Sequence, residues 1–440
     1  MAIQGQSAAS LLDVNLTAGS AALVLLVLIA TTAVPAAQAQ TFQVLHTFTG
    51  GADGSEPSGG GLTSDSQGNL YGTAANGGIY NANCLTSGQQ FGCGTVYKLT
   101  HKSGGWAFSL LYSFTGSTDG YLPNQILTFD SEGSLYGSTR GGGGYYCQGI
   151  YCGTVFKLRP PAAFHCITIS CPWTETTLYQ FQGYPNDGAQ PAFGHLTFDA
   201  AGNLYGTTSW GAPSGYSGNV YKLTPGGSGW TESVLYNFTG GYDGDASRSG
   251  VVFDNAGNLY GTTTLGGLYG DGVIFRLTPT ESGWRETVLH NFQDSTDGSG
   301  PNGAVVMDAA GNLYGVTFSG GPNKGGTVWE LSPSNGSWTF RVLYALTGSG
   351  EDGPNGGLFM DAAGNLYGAT LLEGAYHKGN VFKLSPSNSA WVYTSLYDFT
   401  GGSDGSWPNS RVTMDANGNL FGSTELGGEK QNGVIWEITP

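Results

Sequence analysis

Carboxylates recur at fixed places along this 440-residue chain. A carboxylate can ligate a metal, act as acid or base, or tie a turn. The octet "DAAGNLYG" occurs three times unchanged, beginning at Asp199, Asp308 and Asp361. Its looser form, D-x-x-G-[NS]-L-[YF]-G, occurs seven times, beginning at Asp65, Asp130, Asp199, Asp254, Asp308, Asp361 and Asp415. A calcium loop needs several oxygen ligands at alternating positions. The third position of the identical copies is Ala201, Ala310 and Ala363, which offers none. A type I turn, by contrast, favours Asp at its start, and a left-handed Gly then returns the chain to its ladder. The octet therefore reads as a hairpin turn, and no metal or other cofactor is expected there.

A second repeated acid is Asp-Gly: Asp53, Asp119, Asp187, Asp243, Asp297, Asp352 and Asp404. Seven carboxylates on one face would attract cations or basic partners. Asp-Gly is also a strong turn former, and the turn is the favoured reading. Catalysis would ask for ionisable groups converging on one point. Four residues before each octet Asp stand Gly61, Ile126, His195, Gly250, Ala304, Gly357 and Arg411. Only His195 and Arg411 are polar there. A lactonase-like calcium site would need Glu, Asn and Asp in that ring, and glycoside cleavage a pair of carboxylates. No catalytic residue is assigned. Calcium stays open only under the alternative of an enzyme acting on a sugar or sugar acid.

Those residues must be positioned by strands. Each period holds four runs of β-branched and aromatic residues bounded by Gly, Asn, Asp or Pro. In the third copy they are residues 195–199, 203–208, 218–223 and 230–238. The periods are 65, 69, 55, 54, 53 and 54 residues. Four antiparallel strands at such a period match one propeller blade. The run 41–48 aligns with a fourth strand, and the chain closes on a third strand at 433–440. The expected fold is all-β: a seven-bladed propeller over 41–440, closed by the N-terminal strand joining the last blade.

The loops after each second strand vary between copies. They carry Arg140, Trp210, Phe318, Glu373, His377 and Glu425, with Tyr80, Asn81 and Tyr145 in insertions. Aromatic and amide side chains on loops can stack on and hydrogen-bond a sugar. The candidate ligand-binding residues are thus Arg140, Trp210, Glu373, His377 and Glu425 on the loops, with His195 and Arg411 in the channel. The fourth-strand Trp residues read as packing groups. The third-strand charges (Lys98, Lys157, Lys222, Arg276, Glu330, Lys383, Glu437) read as a solvated stripe.

The whole pattern, D-x-x-G-N-L-Y-G through G-x-V-[FYW]-K-L-[TS]-P and G-W to V-L-Y-x-F-T-G, resembles the GloVer tandem repeat of bacterial "choice-of-anchor" surface proteins. The resemblance covers residues 41 to 440. It implies an exported protein with a β-propeller type of repeat and no catalytic residues to carry over. Members often end in an anchoring segment, whereas this chain stops at Pro440 inside its last blade. A released or periplasmic product is the expectation.

Composition agrees with export. Residues 21–34 are an apolar run of signal-peptide length, and "AQA" at 37–39 offers a cleavage site, so 1–39 is read as a signal peptide. The stretch before it lacks Lys and Arg and contains Asp13, so an uncleaved anchor is the competing reading. Net charge is −16 with 15 Lys and Arg in all, which excludes a nucleic-acid footprint and disfavours an anionic membrane. Six cysteines fall in local pairs, Cys84 with Cys93, Cys147 with Cys152 and Cys166 with Cys171, expected as disulfides. The chain is read as a secreted or periplasmic monomer that recognises an extracellular glycan or protein. A purely structural envelope role is a further alternative.

Overall fold

A computed structural model describes residues 40–440 except 58–59, 87–88, 148–149, 162–172, 186, 192–193, 212–216, 349, 351–352 and 389. The signal-peptide reading and the Cys166–Cys171 pair lie outside the described residues. Gln40–Pro440 is one compact unit: seven antiparallel sheets of four main strands, arranged as the blades of a propeller. Blade four illustrates the plan, with Val252–Phe253, Leu259–Thr263, Val273–Thr280 and Gly283–Asn291 in order from the centre outward. The inner strands are shorter than the sequence suggests, only two residues each beside the octet. In blades two and three a further strand upstream of the inner one, Tyr121–Pro123 and Ala189–Pro191 respectively, pairs with the same second strand.

Blade seven contributes Thr413–Met414, Leu420–Thr424 and Val434–Thr439, and Thr41–Thr47 adds the fourth strand. Thr41 pairs with Thr439 and Val44 with Trp436. The closure expected from the two ends is therefore present. It ties the ring and covers the edge that blade seven would otherwise leave open.

Seven hydrophobic clusters fill the seven seams between blades. Third strands are buried on both faces, so Val220, Tyr221 and Leu223 are all inaccessible. The Gly of "LYG" makes room for the third-strand ring: a Cβ on Gly206 would lie 2.4 Å from the Tyr221 hydroxyl. Each fourth-strand Trp meets the octet ring of the preceding blade, as Trp338 does Tyr260 at 5.9 Å between centroids. These Trp residues are packing groups.

Rings also stack between fourth strands. Phe42 lies on Tyr397 (3.8 Å), Phe108 on His46 (4.1 Å), Phe340 on His290 (3.7 Å) and Tyr393 on Tyr344 (4.4 Å). The same position in the three remaining seams is Glu175, Glu232 and Glu286. The third-strand lysines are not a solvated stripe. Lys98, Lys157, Lys222 and Lys383 sit 5.0 to 5.7 Å above the octet tyrosines, where their stems cover the ring and their charge faces its π cloud.

The disulfides Cys84–Cys93 and Cys147–Cys152 form as expected and staple loops of blades one and two. Disulfides fit an oxidising compartment. Among the described residues no helix is long and apolar enough to cross a membrane.

Candidate functional site

Both repeated acids are consumed by turns. Asp199 Oδ1 accepts the N–H groups of Ala201 and Asn203 at 2.9 Å, and Oδ2 accepts Asn203 Nδ2 at 2.6 Å and the Tyr205 hydroxyl at 3.0 Å. Gly202 takes the left-handed conformation that closes the turn. Burial alone would raise the Asp199 pKa, but the hydrogen bonds from Asn203, Tyr205 and the backbone outweigh it and hold it below the ordinary value. In blade two, Ser134 replaces the Asn, and Lys157 Nζ fills the gap at 3.1 Å from Asp130.

The Asp-Gly acids are closed in the same way. Asp243 accepts from the Tyr236 hydroxyl (2.9 Å), Thr239 N–H (2.9 Å) and Thr239 Oγ1 (2.5 Å). Asp119 and Asp404 repeat the pattern with Tyr112 and Tyr397. His46 and His290 stand in for that tyrosine against Asp53 (3.1 Å) and Asp297 (2.8 Å), so both histidines are structural. Asp119, Asp187, Asp297 and Asp404 are buried, and they do not present a negative face to solvent. Asp352 lies outside the described residues.

The loops joining fourth to first strands, and second to third, meet on one face around the mouth of the channel. Two residues after each Asp-Gly, the chain turns left-handed at Glu56, Leu122, Gln190, Ala246 and Trp407, and at Gly300 in blade five. Five non-Gly side chains in that region carry a backbone cost, and such residues concentrate at functional sites. Two residues further on come Asn124, Arg248, Asn302 and Asn409, and Asn355 follows the proline of the shortened blade-six loop. Here a continuous arc of side chains forms. Thr264 Oγ1 donates to Asn302 Oδ1 (3.0 Å), Asn302 Nδ2 to Asn355 Oδ1 (2.8 Å), Asn355 Nδ2 to Asn409 Oδ1 (2.7 Å), and Asn409 Nδ2 to Glu425 Oε2 (3.0 Å). The arc borders a cavity of about 400 Å³ lined by Arg248, Thr264, Asn302, Phe318, Ser319 and Asn355, among others.

Charge at the mouth is divided. Arg140 donates through Nε to Gln190 (3.1 Å), and its charge acts on Arg248 in blade four. Burial first, then Arg140, push the Arg248 pKa down, while Asp245 pulls it up. On the other side Glu56 accepts from Asn76 Nδ2 (2.5 Å), and its pKa is raised by burial and then by Glu425.

The sequence-derived candidates separate accordingly. Arg140 and Glu425 sit at the mouth. His195 and Arg411 line the bore, close enough that burial and the Arg411 charge push the His195 pKa down to about 4; Arg411 Nε donates to Leu358 O at 2.9 Å. Trp210 packs on the core of blades two and three. Glu373 is buried and accepts the Thr347 N–H, Thr347 Oγ1 (2.9 Å) and the Tyr393 hydroxyl (3.4 Å), bracing blade five to blade six. His377 is at an exposed left-handed turn, its N–H on Gly374 O. Arg248 and the Asn arc were missed. The signal of the arc is the Pro-Asn dipeptide at 301–302, 354–355 and 408–409, which reads as an ordinary turn; Arg248 follows Ser247 and carries no such mark.

Among the described residues no group of three or more His, Cys, Asp or Glu is placed to hold a metal ion.

Three solved structures illustrate the likenesses found. One named as a 6-phosphogluconolactonase from Bacteroides uniformis is 15% identical, covering 75% of this chain and 84% of its own, with a TM-score of 0.46. A protein of unknown function from Dyadobacter fermentans is 12% identical over 90% and 97%, with a TM-score of 0.43. A gluconolactonase from Xanthomonas campestris is 12% identical over 91% and 89%, with a TM-score of 0.41. These likenesses are too loose to bear on chemistry. No curated protein matches the chain. A family model described as the Gloeobacter/Verrucomicrobia repeat matches residues 151–359 and 326–440, together well over half of the sequence. Five of the seven octets, those beginning at Asp199, Asp254, Asp308, Asp361 and Asp415, lie in the matched residues, and the chain belongs to the Gloeobacter/Verrucomicrobia repeat family.

Proposed function

We propose that the protein is an exported, non-catalytic binding module that holds a glycan against its loop face. One observation carries the reading. Thirteen large apolar side chains are exposed among the described residues, and eleven of them lie in loops of that single face. They include Tyr80, Tyr145, Tyr184, Tyr242, Tyr269, Tyr376 and Trp407. Only Leu110 and Val392 lie elsewhere, on fourth strands. Exposed aromatics gathered on one face mark an interaction surface, and rings with a polar tip suit the apolar faces and hydroxyls of sugars.

The propeller supports the role by holding loops from seven blades on a rigid ring. Its turns are satisfied largely by their own Asp side chains, as at Asp199 and Asp243. The enzyme alternative needs convergent acids at the mouth or bore. Among the described residues Glu56, Glu425 and Asp245 are acids at the mouth; Asp245 acts on Arg248, and Glu56 and Glu425 are tied to asparagines.

A glycan array probed with residues 40–440 tests the reading, followed by titration of the best ligand. Tyr269→Ala and Trp407→Ala are each expected to weaken it roughly fivefold. An array without binding, beside a pull-down that recovers one protein, would overturn the sugar reading in favour of a protein partner.

A further inference from the structure

We infer that the cavity beside Arg248 is the specificity pocket of the loop face and takes a sugar residue bearing a single carboxylate, with the acid at Arg248 and vicinal hydroxyls along Asn302 and Asn355. This rests on the reading of the loop face as a glycan site and names the chemistry that site selects.

The first support is the fixed direction of the Asn arc. An ionised Glu425 only accepts, so Asn409 must turn its NH₂ towards it. The Asn409 carbonyl then faces Asn355, and the Asn355 carbonyl faces Asn302. The Thr264 hydroxyl closes the other end. Each amide spends one N–H and one lone pair in the arc. Each keeps one N–H and one lone pair for a ligand. A hydroxyl is both donor and acceptor, so a row of such amides matches a row of hydroxyls.

The second support is the placement of cations. The chain has 15 Lys and Arg against 31 Asp and Glu. Two arginines nevertheless stand within reach of each other's charge at the mouth, and one of them lines the cavity. Asp245 offsets part of the cost of burying Arg248 beside Arg140, and an anion in the cavity would offset more. Arginine also matches a carboxylate through two parallel hydrogen bonds. The net charge of −16 repels a polyanion, which leaves one acid group in an otherwise neutral ligand as the fitting charge. Phe318 supplies an apolar wall for the ring.

The experiment uses residues 40–440 with four probes: D-galacturonate, D-glucuronate and the methyl ester of each. Esterification removes the charge and keeps the hydroxyls. At least one acid should bind about tenfold more tightly than its ester, the scale of one charge-assisted contact. Arg248→Gln should bring the acid to the affinity of the ester. Asn355→Ala should weaken both forms alike. Equal binding of acid and ester, or an Arg248→Gln protein with the parent's preference, overturns the inference and leaves the glycan reading standing. Absence of binding by all four probes, where a neutral glycan binds on the array, also overturns it alone. Absence of any glycan binding overturns both. Melting curves of the two variants matching the parent exclude misfolding as the cause.

Discussion

Replacing Glu232 by Gln is expected to stabilise the ring above neutral pH and to change nothing near pH 4.5. Four seams close with stacked rings, but at the seam of blades two and three Glu232 faces Tyr179 and Asp187 across the interface and Tyr221 from its own blade. Its Oε1 is buried without a hydrogen-bond partner. Burial, and then the Asp187 charge, push its pKa up to about 7 from an ordinary 4.5. Glu175 beside Asp119 and Glu286 beside Asp243 are raised to about 7 for the same reasons. The sign follows from the proton balance. The unfolded chain releases this proton near pH 4.5, whereas the folded chain keeps it to about pH 7. Folding therefore carries a penalty that is absent below the unfolded value, grows through that window and is complete above the folded one. The full shift would correspond to about 3 kcal/mol, but the group is partly open to solvent, and screening reduces it to about 1 kcal/mol. Melting of parent and Glu232→Gln should differ by roughly 1–2 °C at pH 8.5 and not at pH 4.5. The triple variant E175Q/E232Q/E286Q should gain roughly three times as much. Glu232→Phe restores the stack used in the sister seams and should stabilise at both pH values. A Gln variant that gains as much at pH 4.5 as at pH 8.5 would refute the reasoning, because the gain would then not come from the charge.

Two further outcomes follow from the architecture. Deleting Thr41–Thr47 removes the fourth strand of blade seven and the Phe42–Tyr397 stack, so the whole ring should melt roughly 3–6 °C lower, by the scale of about 3 kcal/mol for a lost edge strand; an unchanged melting temperature would contradict the closure. Reduction should loosen blades one and two, by up to about 3 kcal/mol of local stability, because Cys84–Cys93 and Cys147–Cys152 lie there; hydrogen exchange that rises equally in all seven blades would contradict local stapling.

The blade count and the closure were legible because they rest on spacing. An Asp, a Gly and a Tyr at fixed distances in seven copies specify a hairpin whatever surrounds them, and Asp199 with its four hydrogen bonds shows why. The local disulfides were legible for the same reason. What depends on the neighbouring blade was not. Glu373 looks like a free loop acid until Thr347 of blade five is brought beside it. Lys222 looks solvated until Tyr205 lies under it. The left-handed conformation at Glu56, Leu122, Gln190, Ala246 and Trp407 has no residue signature, because none of the five side chains is one that favours it. Asn302, Asn355 and Asn409 stand more than 50 residues apart, and nothing local says that their amides touch.

That contact decides whether the mouth acts as one device. If the arc is a unit, the carboxylate of Glu425 sets amide directions as far as Asn302, two blades away. Glu425→Gln keeps the size but can donate as well as accept, so the direction is no longer imposed. One misdirected amide replaces a ligand donor by an acceptor, a change on the scale of about 1 kcal/mol, or roughly fivefold in affinity for the sugar acid. A double-mutant cycle isolates the coupling. In an Asn355→Ala background the arc is already cut, and Glu425→Gln should then cost nothing. Equal losses from Glu425→Gln in both backgrounds would mean that the amides act independently. The ordered arc would then be a consequence of blade packing, and recognition would rest with Arg248 and the aromatic loops.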